Sequence, residues 1–264
     1  MAALRAVVHG GLGRMGQQVL AALCSDAEID PVGCVDLRED LTTVDLPGGL
    51  ASIPYASSVE GLLESVKADV LIDFSIASAS FPAVTAAIKQ EVNVVIGTSG
   101  LVEEQLKELE SLSTHYGVGV LVVPNFALGG VILGYLSKIA GRFFDYVDIY
   151  EAHHEAKIDA PSGTALALAK MIAEDKEFNR HEPEKETLPG TRGGNYRGIS
   201  IHSTRMPGHL AHHQVIFGAL GQTLTLRHDS ISRESFMPAV MLAAKEVTKR
   251  RIFEVGLEGV LGLS

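Results

Sequence analysis

Two cysteines, Cys24 and Cys34, in 264 residues are too few for a disulfide framework, so the fold must stand on its apolar core. Both sit among apolar neighbours and read as buried structural thiols. No apolar stretch approaches the roughly 20 residues of a membrane span. No secretory leader pattern precedes the first strand-like segment, and the expectation is a soluble, cytoplasmic protein. Positive charge is scarce as well: 22 Lys and Arg against 32 Asp and Glu leave a net charge of -10. Such a chain repels polyphosphate at long range, and no basic cluster forms a recognition helix, so nucleic acid is not an expected partner. Repeats and low-complexity tracts are absent. His154-Glu155 opens an H-E-x-x-H, but Ile158 stands where the second histidine belongs, and no metal site is expected.

What is present is ordinary globular composition, 46% hydrophobic and 20% charged, with 27 glycines. Residues 1–124 alternate short β-branched runs (4–9, 32–36, 70–74, 94–96 and 119–123) with helical patterns at 13–24, 81–89 and 102–116. A Pro/Gly-rich loop is expected at 46–51. Strands apolar on both faces and separated by helices predict a Rossmann-type, doubly wound parallel sheet. After Pro124 the rhythm changes. A helix at 129–140, a strand at 147–151 and a helix from Gly163 precede a polar stretch, 175–197, that reads as a long exposed loop. Alternating runs at 199–204, 214–217 and 223–228 follow without intervening helices. They predict an α+β domain with a mixed, partly antiparallel open sheet. A last helix at 235–248 is expected to pack back on the first domain. The expected domains are therefore 1–124 with 234–264, and 125–233.

Gly11-Leu12-Gly13-Arg14-Met15-Gly16 is a G-x-G-x-x-G placed between a strand and a helix. The first glycine permits the tight turn, the second lets backbone approach a pyrophosphate, and the third allows close helix–strand contact. Phosphates then meet the positive end of the helix dipole. Asp36 stands about 20 residues further on, at the end of the second strand, where an acid bonds a ribose hydroxyl. A nicotinamide dinucleotide is the expected cofactor. Asp36 favours NAD, whereas Arg14 and Arg38 favour NADP by pairing with a 2′-phosphate, so the choice between NADH and NADPH stays open.

A second cluster is Glu151-Ala152-His153-His154-Glu155-Ala156-Lys157-Ile158-Asp159-Ala160-Pro161-Ser162-Gly163-Thr164. Successive side chains of a strand point oppositely, so His153 and His154 should have different roles. Pro161 to Thr164 reads as a helix start with Ser162 as N-cap. A serine and a threonine at a helix N-terminus, beside Lys157 and His154, also make a receptor for carboxylates. A small dianionic substrate suits it.

The E-x-H-H-x-x-K-x-D-x-P-S-G-T block, together with G-x-x-G-R-M-G at 10–16, Asp73-Phe74-Ser75, Gly97-Thr98-Ser99-Gly100 and Pro124-Asn125-Phe126, resembles the dihydrodipicolinate reductase family. The resemblance covers essentially the whole chain. It implies an oxidoreductase of the diaminopimelate route to lysine. Such an enzyme uses NADPH and/or NADH to convert 4-hydroxy-tetrahydrodipicolinate, by way of dihydrodipicolinate, to tetrahydrodipicolinate. It also implies a homotetramer built through the second domain's sheet. By position, Gly10, Gly11, Leu12, Gly13, Arg14 and Met15 would wrap the pyrophosphate and Asp36 the adenosine ribose. Gly97, Thr98 and Ser99, with Val123, Pro124, Asn125 and Phe126, would line the nicotinamide. His153 would be the catalytic acid/base, Lys157 the proton donor, and His154, Gly163 and Thr164 substrate contacts. This chain departs from the family pattern at Ser99, at Ala127 and in the Asp36-Leu37-Arg38 order, and it differs more at 207–213. The rival readings are another NAD(P)-dependent dehydrogenase of a small anionic substrate, and a non-catalytic dinucleotide sensor.

Overall fold

Valine- and isoleucine-rich runs become strands here because helices cover both of their faces. A computed structural model describes residues 2–49 and 51–263. Leu50, inside the loop expected at 46–51, and the terminal Met1 and Ser264 of the expected first domain lie outside the described residues. Two units are resolved: Met1–Phe126 with Phe236–Ser264, and Ala127–Ser235.

The first unit begins with β1 (Leu4–His9), α1 (Arg14–Ser25), β2 (Ile29–Val35), β3 (Thr43–Asp45), β4 (Ser52–Ala56) and α2 (Val59–Leu63). It continues with β5 (Val70–Asp73), α3 (Ala77–Lys89), β6 (Asn93–Ile96), α4 (Glu103–Tyr116) and β7 (Val120–Val122). The second unit comprises α5 (Leu128–Gly141), β8 (Tyr146–His153), α6 (Gly163–Ile172), β9 (Gly194–Tyr196), β10 (Ile199–Arg205), β11 (Ala211–Ala219) and β12 (Gln222–Ser230). The chain then returns to the first unit as α7 (Met237–Arg250) and β13 (Phe253–Val255).

The first sheet has the order β13-β7-β6-β5-β1-β2-β4-β3, and every pairing is parallel except β3 with β4. Side-chain alternation sorts its two faces. Val7, Leu71, Val94 and Val120 join Val59, Leu62, Val84, Ile88 and Leu109 of α2, α3 and α4 in one core. Val8, Ile72 and Val95, equally buried, serve the face where α7 packs across β5, β6 and β7 and α1 lies beside it. A Cβ at Gly119 would fall 2.0 Å from the Val247 carbonyl of α7, so that contact requires glycine. From β1 the chain builds outward through β2 and β4, then crosses to β5 on the other side of β1. That reversal is the topological switch point, where doubly wound sheets open a crevice at the carboxyl ends of their strands.

The second sheet, β12-β11-β8-β10-β9, is mixed: β10 runs parallel to β8, and the other pairs are antiparallel. Val147, Ile149, Ile199, Ile201, Val215 and Phe217 pack on Leu133 of α5 and on Leu168 and Ile172 of α6. Two sequence expectations need correction. The 175–197 stretch is not loop throughout, because Phe178 is buried and β9 pairs with β10. Short β3, β4, α2 and β13 add to the expected elements; each is three to five residues long and lacks a full period of pattern. No helix among the described residues is long and apolar enough to cross a membrane.

Candidate active site

The glycine loop sits at the switch point, between β1 and α1. The loop residue with positive φ is Gly10 (77°), immediately before the first glycine of the motif. Gly11 is required for a different reason: a Cβ there would lie 2.3 Å from the Cys34 Sγ, in a pocket where burial pushes that thiol up to about 12. A Cβ at Gly16 would lie 2.1 Å from the Gly10 carbonyl, so α1 and the loop touch backbone to backbone. Gly13 differs from both. Its hypothetical Cβ meets only the Gly10 carbonyl, at 3.2 Å, and it caps α1 with ordinary extended dihedrals and no side-chain acceptor at the helix start. A cavity of about 410 Å³ opens here, lined by His9, Gly10, Gly13, Arg14, Met15, Asp36, Leu37, Phe74, Ser75, Ile76 and Ala79.

Asp36 accepts hydrogen bonds from the backbone N–H groups of Leu12 and Leu37, both at 2.8 Å, which aims its carboxylate into the loop. Arg14 lines the cavity, whereas the Arg38 guanidinium turns to Asp40, with Nε donating at 3.0 Å. Beneath the loop Asp73 is fully buried, 2.8 Å from His9 Nδ1 and 2.7 Å from the Ser75 hydroxyl. Burial opposes its ionisation, but these bonds, with those from Ser80 and Thr98, hold the carboxyl below its usual range. Thr98 in turn accepts from the Ser75 N–H at 2.9 Å. The Phe74 ring covers Gly97, where a Cβ would lie 2.3 Å from it, and tilts against Phe126 at 5.3 Å between centroids. Gly97, Thr98 and Ser99 thus follow β6, and Val123, Pro124, Asn125 and Phe126 follow β7, at the same strand ends as Phe74.

In the second unit the polar cluster is built at the end of β8. Glu151 and His153 both point inward, as residues two apart on a strand must, and His154 lies exposed beyond the strand end. Glu151 accepts a fork of two 2.8 Å bonds from Arg205, a 3.1 Å bond from the Ser162 N–H and a 2.6 Å bond from His153 Nδ1. Burial works against its charge, yet Arg205 and the other donors hold the carboxyl down to about 2. Burial also lowers His153, more than its Glu151 partner raises it. A carboxylate has no proton to give, so Nδ1 is the donor and Nε2 carries the free lone pair of a neutral imidazole. His213 stacks edge-on to His153 at 5.3 Å, and burial pushes it down to about 4.

Ser162 caps α6, accepting from the Ala165 N–H at 3.2 Å, and its hydroxyl meets His213 Nε2 at 3.2 Å. The hydroxyl is therefore turned inward. Gly163 and Thr164 occupy the first helical positions, and a Cβ at Gly163 would meet only open space. The Lys157 ammonium lies 2.6 Å from Asp159, whose other oxygen receives the Gly163 N–H at 3.3 Å. A larger cavity of about 690 Å³ borders the same loop at Ala160 and Pro161, but neither histidine of the block nor Lys157 lines it. Sequence reasoning assigned no role to Glu151, Arg205 or His213. No local spacing links Arg205 to Glu151, because β10 reaches β8 only through sheet pairing. Among the described residues, no group of three or more His, Cys, Asp or Glu could hold a metal ion.

The profile of dihydrodipicolinate reductase, N-terminus, matches residues 4–126, and that of dihydrodipicolinate reductase, C-terminus, matches residues 129–261. A 4-hydroxy-tetrahydrodipicolinate reductase of Dehalococcoides mccartyi is 45% identical over 263 residues, covering 100% of both chains. Its counterpart from Moorella thermoacetica is 40% identical and covers 99% of each. In three dimensions, the dipicolinate-bound dihydrodipicolinate reductase of a Paenisporosarcina species superposes with a TM-score of 0.88 at 38% identity, over 97% of this chain and 99% of that one. With the glycine crevice, the Glu151–His153 pair and the Lys157 loop all inside the matched spans, the chain belongs to the dihydrodipicolinate reductase family.

Proposed function

We propose that this protein is an NAD(P)H-dependent oxidoreductase that reduces 4-hydroxy-tetrahydrodipicolinate to tetrahydrodipicolinate, with loss of water, in the diaminopimelate route to lysine. The observation that carries the reading is the grip on Asp159. Lys157 and the Gly163 N–H, at the start of α6, already hold one carboxylate, so the site is chemically a carboxylate receptor. A dicarboxylate substrate would take that place, held by Lys157, Gly163, Thr164 and the exposed His154. The inward hydroxyl of Ser162 serves the receptor by capping the helix.

The first unit fits a dinucleotide. Its uncapped helix start, the side-chain-free backbone at Gly13 and a cavity lined by Gly10, Arg14, Met15 and Asp36 suit a pyrophosphate and a ribose. Gly11 and Leu12 complete the loop. Gly97 to Ser99 and Val123 to Phe126 would border the nicotinamide, which supplies a hydride when bound. Lys157 then stabilises charge developing at the substrate nitrogen and donates a proton there. His153, neutral and with Nε2 free, accepts and returns protons beside it. The dinucleotide-binding part would be 1–124 with 234–264, the substrate part 125–233. The second unit's exposed sheet residues, Tyr146 and Tyr150, suit burial in a homotetramer of a cytoplasmic enzyme. The test is oxidation of NADPH or NADH that depends on the product of the preceding synthase step. No oxidation with either cofactor overturns the reading.

A further inference from the structure

Arg205 has a position no motif accounts for. It ends β10, directly beside His153 in the parallel ladder with β8, and the Met206 N–H bonds the His153 carbonyl at 3.2 Å. Its guanidinium makes three kinds of contact at once. It takes both oxygens of Glu151 in a fork, at 2.8 Å each. Its Nη2 also donates to the Asp159 carbonyl at 2.6 Å, which ties down the loop that carries Lys157. Its Nη1 donates to its neighbour's carbonyl, that of Thr204, at 2.7 Å.

Glu151 thereby has no freedom. Its side chain is wholly buried, and its oxygens are taken by two guanidinium N–H groups, the Ser203 side chain, the Ser162 N–H and His153 Nδ1. Which nitrogen of a neutral histidine carries the proton is set by the bond that the other nitrogen makes. Here that bond goes to a carboxylate whose orientation Arg205 fixes. A lysine could neutralise Glu151 but could not also present a planar fork and reach the Asp159 carbonyl.

We propose that Arg205 is the positioning residue of the proton-transfer site, fixing the His153 tautomer through Glu151 and the Lys157 loop through the Asp159 carbonyl. The inference rests on the roles proposed above for His153 and Lys157, but its central claim concerns the free protein. Arg205 needs to touch neither substrate nor cofactor.

The experiment compares wild type with Arg205→Lys and Glu151→Gln. Heteronuclear NMR of the ring nitrogens, assigned with His153→Gln, reads which nitrogen of His153 is protonated. Expected is a single Nδ1–H form in wild type and a growing Nε2–H fraction in both variants, read on the folded protein at a temperature below the lowered melting point of each variant. In turnover, kcat should fall about 10- to 100-fold, the usual cost of disturbing the carboxylate behind a working histidine, while cofactor affinity is unchanged. Arg205→Ala should regain activity when guanidinium ion is added, because the planar fork is what was removed. An unaltered Nδ1–H form in both variants overturns the proposal, as does a kcat loss matched by an equal loss of folded protein. If Arg205→Lys does not fold, the double variant Glu151→Gln/Arg205→Gln, which removes both buried charges together, carries the same NMR measurement. A wild type that shows no substrate-dependent oxidation refutes the proposed function and leaves the NMR result to decide this inference on its own.

Discussion

Around the glycine loop of the first unit the groups offered to a ligand are largely backbone, whereas the second unit offers side chains whose charges are buried and paired. The loop works by what it omits: no Cβ at Gly10, Gly11, Gly13 or Gly16, and no acid at the start of α1. The block at the end of β8 works by what it gathers, one carboxylate, one guanidinium and two imidazoles within hydrogen-bonding or ring contact. The first kind of site is sensitive above all to added volume. The second is sensitive to charge and to protons.

The sharpest way to break that contrast is at Gly13. Valine tolerates its extended dihedrals, and its Cβ meets one backbone atom, the Gly10 carbonyl at 3.2 Å, which a shift of a few tenths of an ångström relieves. Gly13→Val should therefore fold and lose measurable dinucleotide binding by calorimetric titration. Gly16→Ala should behave oppositely, losing about 1–3 kcal/mol of stability from the clash with the Gly10 carbonyl. Wild-type affinity in a folded Gly13→Val protein would remove the pyrophosphate from this loop.

On the side-chain site, His153→Gln and Lys157→Met should each lower kcat by about 10²–10⁴ with cofactor binding intact. The double variant should be far less than multiplicatively worse, because both residues serve one transition state. Steady-state rates within about threefold of wild type in both single variants would mean that these groups merely pack the loop.

Next in size is a response to acid in the histidine range, between pH 6.5 and 4, that arises from the second site. Burial holds His213 down to about 4 from its ordinary 6.5. The unfolded chain therefore takes up a proton in that interval while the folded one does not. Stability is fully present above pH 6.5 and falls as the pH drops towards 4. The loss attributable to His213 is on the order of 3 kcal/mol. His153 and His228, also lowered chiefly by burial, add to the same window, and Glu151 extends it from 4.5 towards 2. His213→Gln should flatten chemical denaturation midpoints between pH 6.5 and 4. An equally steep fall in that variant would assign the proton uptake elsewhere.

The smallest effect separates two arginines that look alike in sequence. Arg14 lines the cavity, but Arg38 is paired with Asp40. Arg14→Ala should cost about tenfold in the NADPH over NADH preference, and Arg38→Ala less, since a charge-assisted bond contributes roughly 1.5–3 kcal/mol only where it is made. Equal losses would show that Arg38 leaves Asp40 when the cofactor arrives.

The sequence made the first site readable and the second only half so, for a physical reason. A backbone site is written locally, in glycine spacing and in Asp36 at the end of the next strand, so the loop and its acid could be located together. Even there the positive φ fell on Gly10, because the motif states which residues lack side chains and not which dihedral each one takes. The partners of His153 come from β10 and β11, whose positions opposite β8 are set by sheet register. Arg205 and His213 therefore carried no local sign. The inward turn of Ser162 depends on His213 in the same way. Elements with a full hydrophobic period were legible to within a few residues, whereas β3, α2 and β13 are too short to show one.

The return of the chain to its first unit has a consequence for how the protein is made. The stretch ending at Phe126 leaves the ribosome before α7 and β13 have been synthesised. Until then Ile72 and Val95 lack the helix that packs across their strands, and β7 has a bare edge. The nascent first unit must therefore wait, apolar face open, through translation of more than a hundred further residues. A chaperone that shields that face would have its work confined to this interval, and synthesis of α7 would end it.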